Sequence, residues 1–362
     1  MIWTTWRQHR AEAAVGALIL AALAAAMVAV GSTARDRARA LGLPACHRPT
    51  AAGGGCPGAL VALHNDFHLI PSVTAALIAV PLLAGMFFAA PLVAREYEAG
   101  TYRLAWTQSV SPLRWITIKI VLIFSVLASA ALALGLLATW TLDPLTAAFG
   151  GRYNSVWYDV QGMVPVACIL FALAVGAAAS ALIRRTIPAM AVTLVAYAAT
   201  RIPIEFIRAR FAPVTTRAYT IPLTVLLQNP GGAPQDIIPG GLSPSDWVQS
   251  VTIADPSGHL VQPDAGNLDV LGHYCPDLKP PGGTPTGSVG GNPAQSSGPP
   301  PSAAQLSACK PAIHNLSLHE KIIYQPASHF WLIQTVESAI FVIVAALLVT
   351  ATVYAVTRRR PT

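Results

Sequence analysis

Residues able to do chemistry are sparse in this chain, and the densest group of them is a single run. Arg95-Glu96-Tyr97-Glu98-Ala99-Gly100-Thr101-Tyr102-Arg103-Leu104 gathers arginines and glutamates within a few positions, and its polar character continues through Trp106 to Pro112, Arg114 and Trp115. Long apolar segments bound it, Ile70 to Val93 upstream and Ile116 to Trp140 downstream. A charged patch held between two membrane-length segments is a loop or short surface helix offered to one aqueous side. Arg201 and Glu337 stand instead inside apolar segments, where an ionised group is costly and marks a functional or structural site. His64 and His68, four residues apart, share a helix face and suit a metal by spacing. No third ligand is assured, and contact with polar headgroups explains them as well. Cys46, Cys56, Cys275 and Cys309 fall in polar stretches, and Cys168 in an apolar one.

Several chemistries have no matching residues. The chain contains no Gly-x-x-x-x-Gly-Lys-[Ser/Thr] phosphate loop, so it has no such means of holding ATP itself. His319-Glu320 lacks the second histidine of a zinc-protease helix. Ser257, in Pro-Ser-Gly, belongs to a turn and has no nucleophile-elbow pattern around it. The expectation is a non-enzymatic protein with no metal and no cofactor bound directly.

The elements that must position these groups are membrane helices. Of 362 residues 54% are hydrophobic and only 11% charged, with a mean hydropathy of +0.53; soluble domains carry roughly a quarter charged residues. A helix needs about 20 apolar residues to cross the hydrocarbon core, and several runs reach that. Because the runs are continuous rather than alternating, a β-barrel is excluded. Residues 1–12 read as an interfacial helix, with Trp3 and Trp6 a turn apart beside Arg7 and Arg10. A signal peptide shares the basic start and apolar stretch, but the paired tryptophans and the length of the run favour a span. Spans are expected at 13–31, 69–93, 116–140, 163–183, 187–207 and 330–356, with a kink near Pro81 in the second. Between them lie loops at 32–68 and 141–162, the charged region 94–115, a long region 208–329 and a tail 357–362. Within the long region, Trp247 to Val261 alternates about a Pro-Ser-Gly turn and reads as a hairpin. The stretch 279–302 is rich in Pro, Gly and Ser and reads as disordered. The fold class is all-α and polytopic, with a small mixed or β region between the fifth and sixth helices.

Six spans put both termini on one side. Arg7, Arg10, Arg95, Arg103, Arg114, Lys119, Arg184, Arg185 and Arg358 to Arg360 then share that side in short segments, which makes it the cytoplasm. Arg35, Arg37 and Arg39, just beyond the first span, depart from that rule. The net charge of +7 is scattered through loops, so lipid headgroups and topology account for it and nucleic acid does not. The four polar-region cysteines all land outside, where disulfides persist. Four cysteines allow three pairings; Cys46–Cys56 and Cys275–Cys309, each within one loop, are the expected ones. Arg201 lies roughly 9 Å from the outer end of its span at 1.5 Å per residue, and Glu337 lies about as deep in the sixth. The two are expected to pair, with Glu205, one turn from Arg201, as the competing partner.

Arg95-Glu96-x-Glu98-x-Gly100-Thr101, followed by Pro112-x-Arg114 and Lys119, resembles the cytoplasmic loop of type-2 ABC exporter permeases. More narrowly, the chain is similar to actinobacterial permeases of that class. The similar stretches are Met1-Ile2-Trp3 to Arg7-Gln8-His9-Arg10, Pro91 to Trp115, the Asp255-Pro256-Ser257-Gly258 turn and Tyr324-Gln325-Pro326-Ala327-Ser328. This resemblance implies a multi-pass permease subunit of the cell membrane, paired with a second copy or a related permease. It further implies a cytoplasmic ABC ATPase subunit that binds ATP and Mg. Arg95, Glu96, Glu98, Gly100, Thr101 and Arg103 would then form a coupling region seated on that ATPase, with the glutamates offered to its basic residues. Apolar residues on the second and fifth spans suit a lipid-like or amphipathic substrate. The competing expectation is a membrane sensor or assembly scaffold whose external region binds a ligand.

Overall fold

The structure, a computed structural model, describes residues 2–43, 56–100, 111–228, 242, 245–261, 267–278 and 302–358. It divides into two compact units, Met1–Ala212 with Ser328–Thr362, and Pro213–Ala327. Cys46, Thr101, Arg103, Arg359, Arg360 and almost all of 279–302 lie outside the described residues, and with them the expected Cys46–Cys56 pair.

Six helical stretches of the described first unit are long and apolar enough to cross a membrane: Gly16–Ala40, Ile70–Glu98, Leu113–Phe149, Val164–Ile183, Thr186–Arg210 and Ala327–Arg358. The protein is a multi-pass membrane protein. Helix α1 (Ile2–Ala40) continues well past Gly31, where the apolar run ends. The run from Ala34 to Ala40 is made mostly of alanine and arginine, which favour helix, and the Ser32 and Thr33 hydroxyls are accommodated by donating to the Ala29 and Val30 carbonyls one turn back. Helix α2 (Cys56–Asp66) follows.

The second span is assembled from pieces. Helices α3 (Ile70–Leu77), α4 (Val80–Ala84) and α5 (Pro91–Glu98) each carry a proline at their start, and a π-helical turn, Gly85–Ala89, joins the last two. Proline has no N–H and suits the first helical turn. The break at Ile78 and Ala79 falls just before Pro81, close to the expected kink. Helix α6 (Pro112–Leu142) starts behind Ser111, whose hydroxyl accepts the Arg114 N–H at 3.3 Å. A short turn, α7 (Ser155–Tyr158), precedes α8 (Val164–Ile183), α9 (Thr186–Ile207) and the closing helix of the chain.

Helix α8 is the hub of this unit. Alanines are frequent along it, together with Gly176, and most of its length is buried against the second, third, fifth and sixth spans. Small residues let backbones approach, which is how helices pack where no water drives them together. At the closest crossing a Cβ on Gly176 would lie 2.5 Å from the Gly85 carbonyl oxygen, and one on Gly85 would lie 2.6 Å from that of Ala172. The Ser180 hydroxyl accepts the N–H groups of Val93 and Ala94 at 3.1 and 2.8 Å, tying α5 to the same helix.

The second unit has its own core. Strands β1 (Thr215–Pro222), β2 (Trp247–Ala254) and β3 (Leu260–Val261), with β4 (Ser317–Gln325), form an antiparallel sheet in the order β1-β4-β2-β3. The expected hairpin is present as β2 and β3, closed by Asp255, whose Oδ1 accepts from the Ser257 and His259 N–H groups and the Ser257 hydroxyl. Along β4, Leu318, Glu320, Ile322 and Tyr324 turn to one side and are buried while His319 and Lys321 are exposed, the period of two of a strand with one buried face. The core beneath includes Ile221, Leu223, Ile253, Leu271 and Leu318. Helices α10 (Asn267–Tyr274) and α11 (Ala303–Ile313) cover it; α11 begins at a capping box of Ser302 and Gln305. The expected Cys275–Cys309 disulfide joins these helices, Cα to Cα 5.7 Å, inside that core. The closing helix of the first unit is α12 (Phe330–Arg358).

Candidate functional site

Two groups of polar residues stand out in the first unit. One is the end of α5. Tyr97 sits under the Arg184 guanidinium at 5.0 Å. Glu96 forms an ion pair with Lys119 of α6, and the Lys119 ammonium lies 4.5 Å over the Trp115 ring. Glu98 reaches α9: one carboxylate oxygen accepts the Thr186 N–H at 2.9 Å and the other the Thr186 hydroxyl at 2.8 Å. Gly100 closes the helix at φ +69, its N–H donating to the Tyr97 carbonyl at 3.3 Å; that left-handed conformation favours glycine. The two glutamates expected to be offered to a partner therefore have partners within the chain. The physical reason is proximity. The N-terminus of α9 and the Lys119 turn of α6 lie within reach of α5, and each supplies a donor to a carboxylate.

The other group is a buried charge network. Arg201 pairs with Glu337 at 2.9 Å, as its depth in the span implies, and also with Asp159. Arg208 donates to Asp159 at 3.0 Å and stacks 4.6 Å over the Tyr158 ring. Glu205 does not take Arg201; it lies 3.6 Å from Arg208, half exposed. All four of the inner groups are buried, Glu337 completely. Two guanidinium groups against two carboxylates leave the cluster neutral, the condition under which charges survive in a low-dielectric interior. Gln334, one turn before Ser338 on α12, completes the arrangement. Its side-chain oxygen accepts the Met163 N–H at 2.9 Å and its amide donates to the Tyr158 and Gln161 carbonyls. Gly162 makes room for it: the residue has φ +67, and a Cβ there would overlap the Gln334 side chain.

Asp159, Arg208 and Gln334 are the site residues that the sequence does not single out. Asp159 reads as one more loop acid, Arg208 as one of several basic residues after a span, and Gln334 as an uncharged exception in an apolar run. Their role appears only when the loop folds down between α9 and α12. His64 and His68 hydrogen-bond backbone carbonyls, of Ala148 at 3.1 Å and Asn65 at 2.7 Å, and the first also stacks on Phe149.

Fold and sites together define a polytopic helical membrane protein with a charged segment braced between its second and third spans. The chain belongs to the ABC-2 membrane transporter related family, whose model matches residues 17–208. Members of that family are transporter permeases, typically non-catalytic membrane subunits that work with an ATPase subunit. No curated protein and no solved structure matches the chain.

Proposed function

We propose that this chain is the membrane-spanning permease subunit of an ATP-driven exporter, driven by a separate cytoplasmic ABC ATPase that binds ATP and Mg. The observation that carries the reading is the charged segment 95–103. It lies between the second and third spans, its first residues are held against α6 and α9, and no phosphate loop accompanies it in the sequence. A segment braced in this way can receive a push from a partner and pass it into the helices. It acts as a two-state element only if the ATPase contacts it differently in the two states.

On this reading the orientation follows the positive-inside rule, from which Arg35, Arg37 and Arg39 depart. Arg35 donates to the Gly31 and Trp140 carbonyls and stacks 3.7 Å from the Trp140 ring centroid, Arg37 pairs with Asp66 at 2.6 Å and Arg39 with Asp36 at 3.2 Å. A dimer of permeases places the path between copies, and exposed apolar residues on the second and fifth spans, Phe87, Phe88, Val195 and Phe206 among them, suit a lipid-like or amphipathic substrate.

The test is co-expression with the ATPase of a neighbouring reading frame, purification through a tag on the permease, and an assay of ATP hydrolysis in lipid nanodiscs. The expected result is a stable complex whose hydrolysis exceeds that of the ATPase alone. A permease that purifies without any ATPase, with hydrolysis unaffected by its addition, contradicts the reading.

A further inference from the structure

Helix α9 starts without a cap of its own. Its N-cap position is Arg185, whose side chain makes no capping hydrogen bond. Pro188, in the first turn, has no N–H, so few free donors remain at this helix end. One of them, the Thr186 N–H, is taken by Glu98, which lies 88 positions earlier in the chain; the second oxygen of the same carboxylate takes the Thr186 hydroxyl. A carboxylate at a helix N-terminus is further favoured by the helix dipole. The cap of the fifth span is thus supplied by the last turn of the second.

The neighbouring residues make the same kind of attachment in other directions. On a helix, consecutive side chains point about 100° apart. Glu96 reaches Lys119 on the third span, Tyr97 packs under Arg184 at the turn between the fourth and fifth, and Glu98 reaches the fifth. Ser180 on the fourth span holds the backbone of Val93 and Ala94 one turn above. Any displacement of the end of α5 is therefore delivered to several spans at once. The Glu98 bond differs from the others because it holds the helix end itself, along its axis.

We propose that Glu98 is a positioning residue, the joint through which the coupling segment moves the fifth span, rather than a contact for the ATPase. The inference rests on the permease reading above. On it, docking falls to residues beyond Gly100, and the bond from Glu98 to Thr186 persists through the cycle.

The experiment uses the full-length permease with its ATPase in nanodiscs, and reads two quantities separately: the affinity of the complex and the permease-stimulated rate of hydrolysis at saturating ATPase. For Glu98→Ala the affinity is unchanged and the stimulation falls roughly ten-fold, because the helix end loses its cap. Glu98→Gln retains most of the stimulation, because its amide oxygen still accepts the Thr186 N–H and its NH2 can donate to the hydroxyl. A Glu98→Cys, Thr186→Cys pair, oxidised to a cross-link, keeps stimulation and guards against a fold defect in the alanine variant. The inference is overturned if Glu98→Ala stimulates fully, if its defect is a loss of affinity at an unchanged maximal rate, or if the cross-link abolishes stimulation. A wild-type permease that binds no ATPase removes the permease reading itself and this inference with it, a result distinct from the other three.

Discussion

Arg201 is the residue on which the largest single mutational effect should fall. It bridges Asp159 and Glu337, both buried, so Arg201→Met leaves two carboxylates without their shared cation. Removing one partner of a buried pair costs about 3–5 kcal/mol, and thermal unfolding in detergent should show that loss as a fall in Tm. Glu337→Gln should cost less, because Arg201 keeps Asp159 and a neutral amide can still accept its N–H. Equal losses for the two variants would mean that the pairing, not the stranded charge, sets the energy. The depth match between Arg201 and Glu337 was readable from sequence because helical rise is constant and both count from a span end. Asp159 was not readable, since nothing in a loop's sequence says that it folds inward. The same holds for Arg208, which reads as a basic residue flanking a span until Asp159 and Tyr158 are brought against it.

At the scale of elements, the crossing of α8 with the π-helical turn brings two backbones into close contact. Gly176→Val would place its side chain against the Gly85 carbonyl oxygen, the Ala89 Cβ and the Ala90 nitrogen. Overpacking of this kind costs about 1–3 kcal/mol, measurable as a lower Tm, whereas Gly16→Ala, inside α1 where nothing lies within 4 Å, should leave Tm the same or slightly higher. The second unit offers a pH test. Glu320 is 2% exposed on the core face of β4, and burial pushes its carboxyl from 4.5 up to about 7. Below pH 4.5 the group is protonated folded or unfolded, and the stability is at its fullest. As pH rises toward 7 the unfolded chain ionises first while the folded one holds its proton, so stability falls by about 3 kcal/mol across that window. Hydrogen-exchange protection of 317–325 in the full-length protein should show this decline, and Glu320→Gln should remove that part of it. In the same unit, replacing Cys275 or Cys309 opens a loop of 34 residues, worth about 4 kcal/mol in chain entropy. Reduction should therefore lower protection across α10 and α11. The sequence carried the hairpin, because alternation and a Pro-Ser-Gly turn are local. It did not carry β1 or β4, whose pairing joins residues about a hundred positions apart. Nor did it carry the extension of α1, since the apolar signal ends at Gly31 while helix-forming residues continue.

For the whole molecule, six apolar runs fixed the class and the number of crossings, because length against bilayer thickness is a one-dimensional property. The placement of α8 at the centre was not legible: a uniformly apolar helix looks the same whether lipid or protein surrounds it, and only the density of alanine hinted at protein. The charged segment between the second and third spans was visible at once by its composition, while the partners of Glu96 and Glu98 within the chain, Lys119 and Thr186, were not. On the inference proposed above, Glu98 holds the second span against the fifth. The central claim is that this membrane protein is moved by an ATPase acting on that segment. Hydrolysis by the neighbouring-frame ATPase, measured in nanodiscs with and without the permease, tests it most directly. The account predicts stimulation by wild type and its loss in a variant with residues 101–104 replaced by glycine and serine. Hydrolysis unchanged by either protein would contradict it.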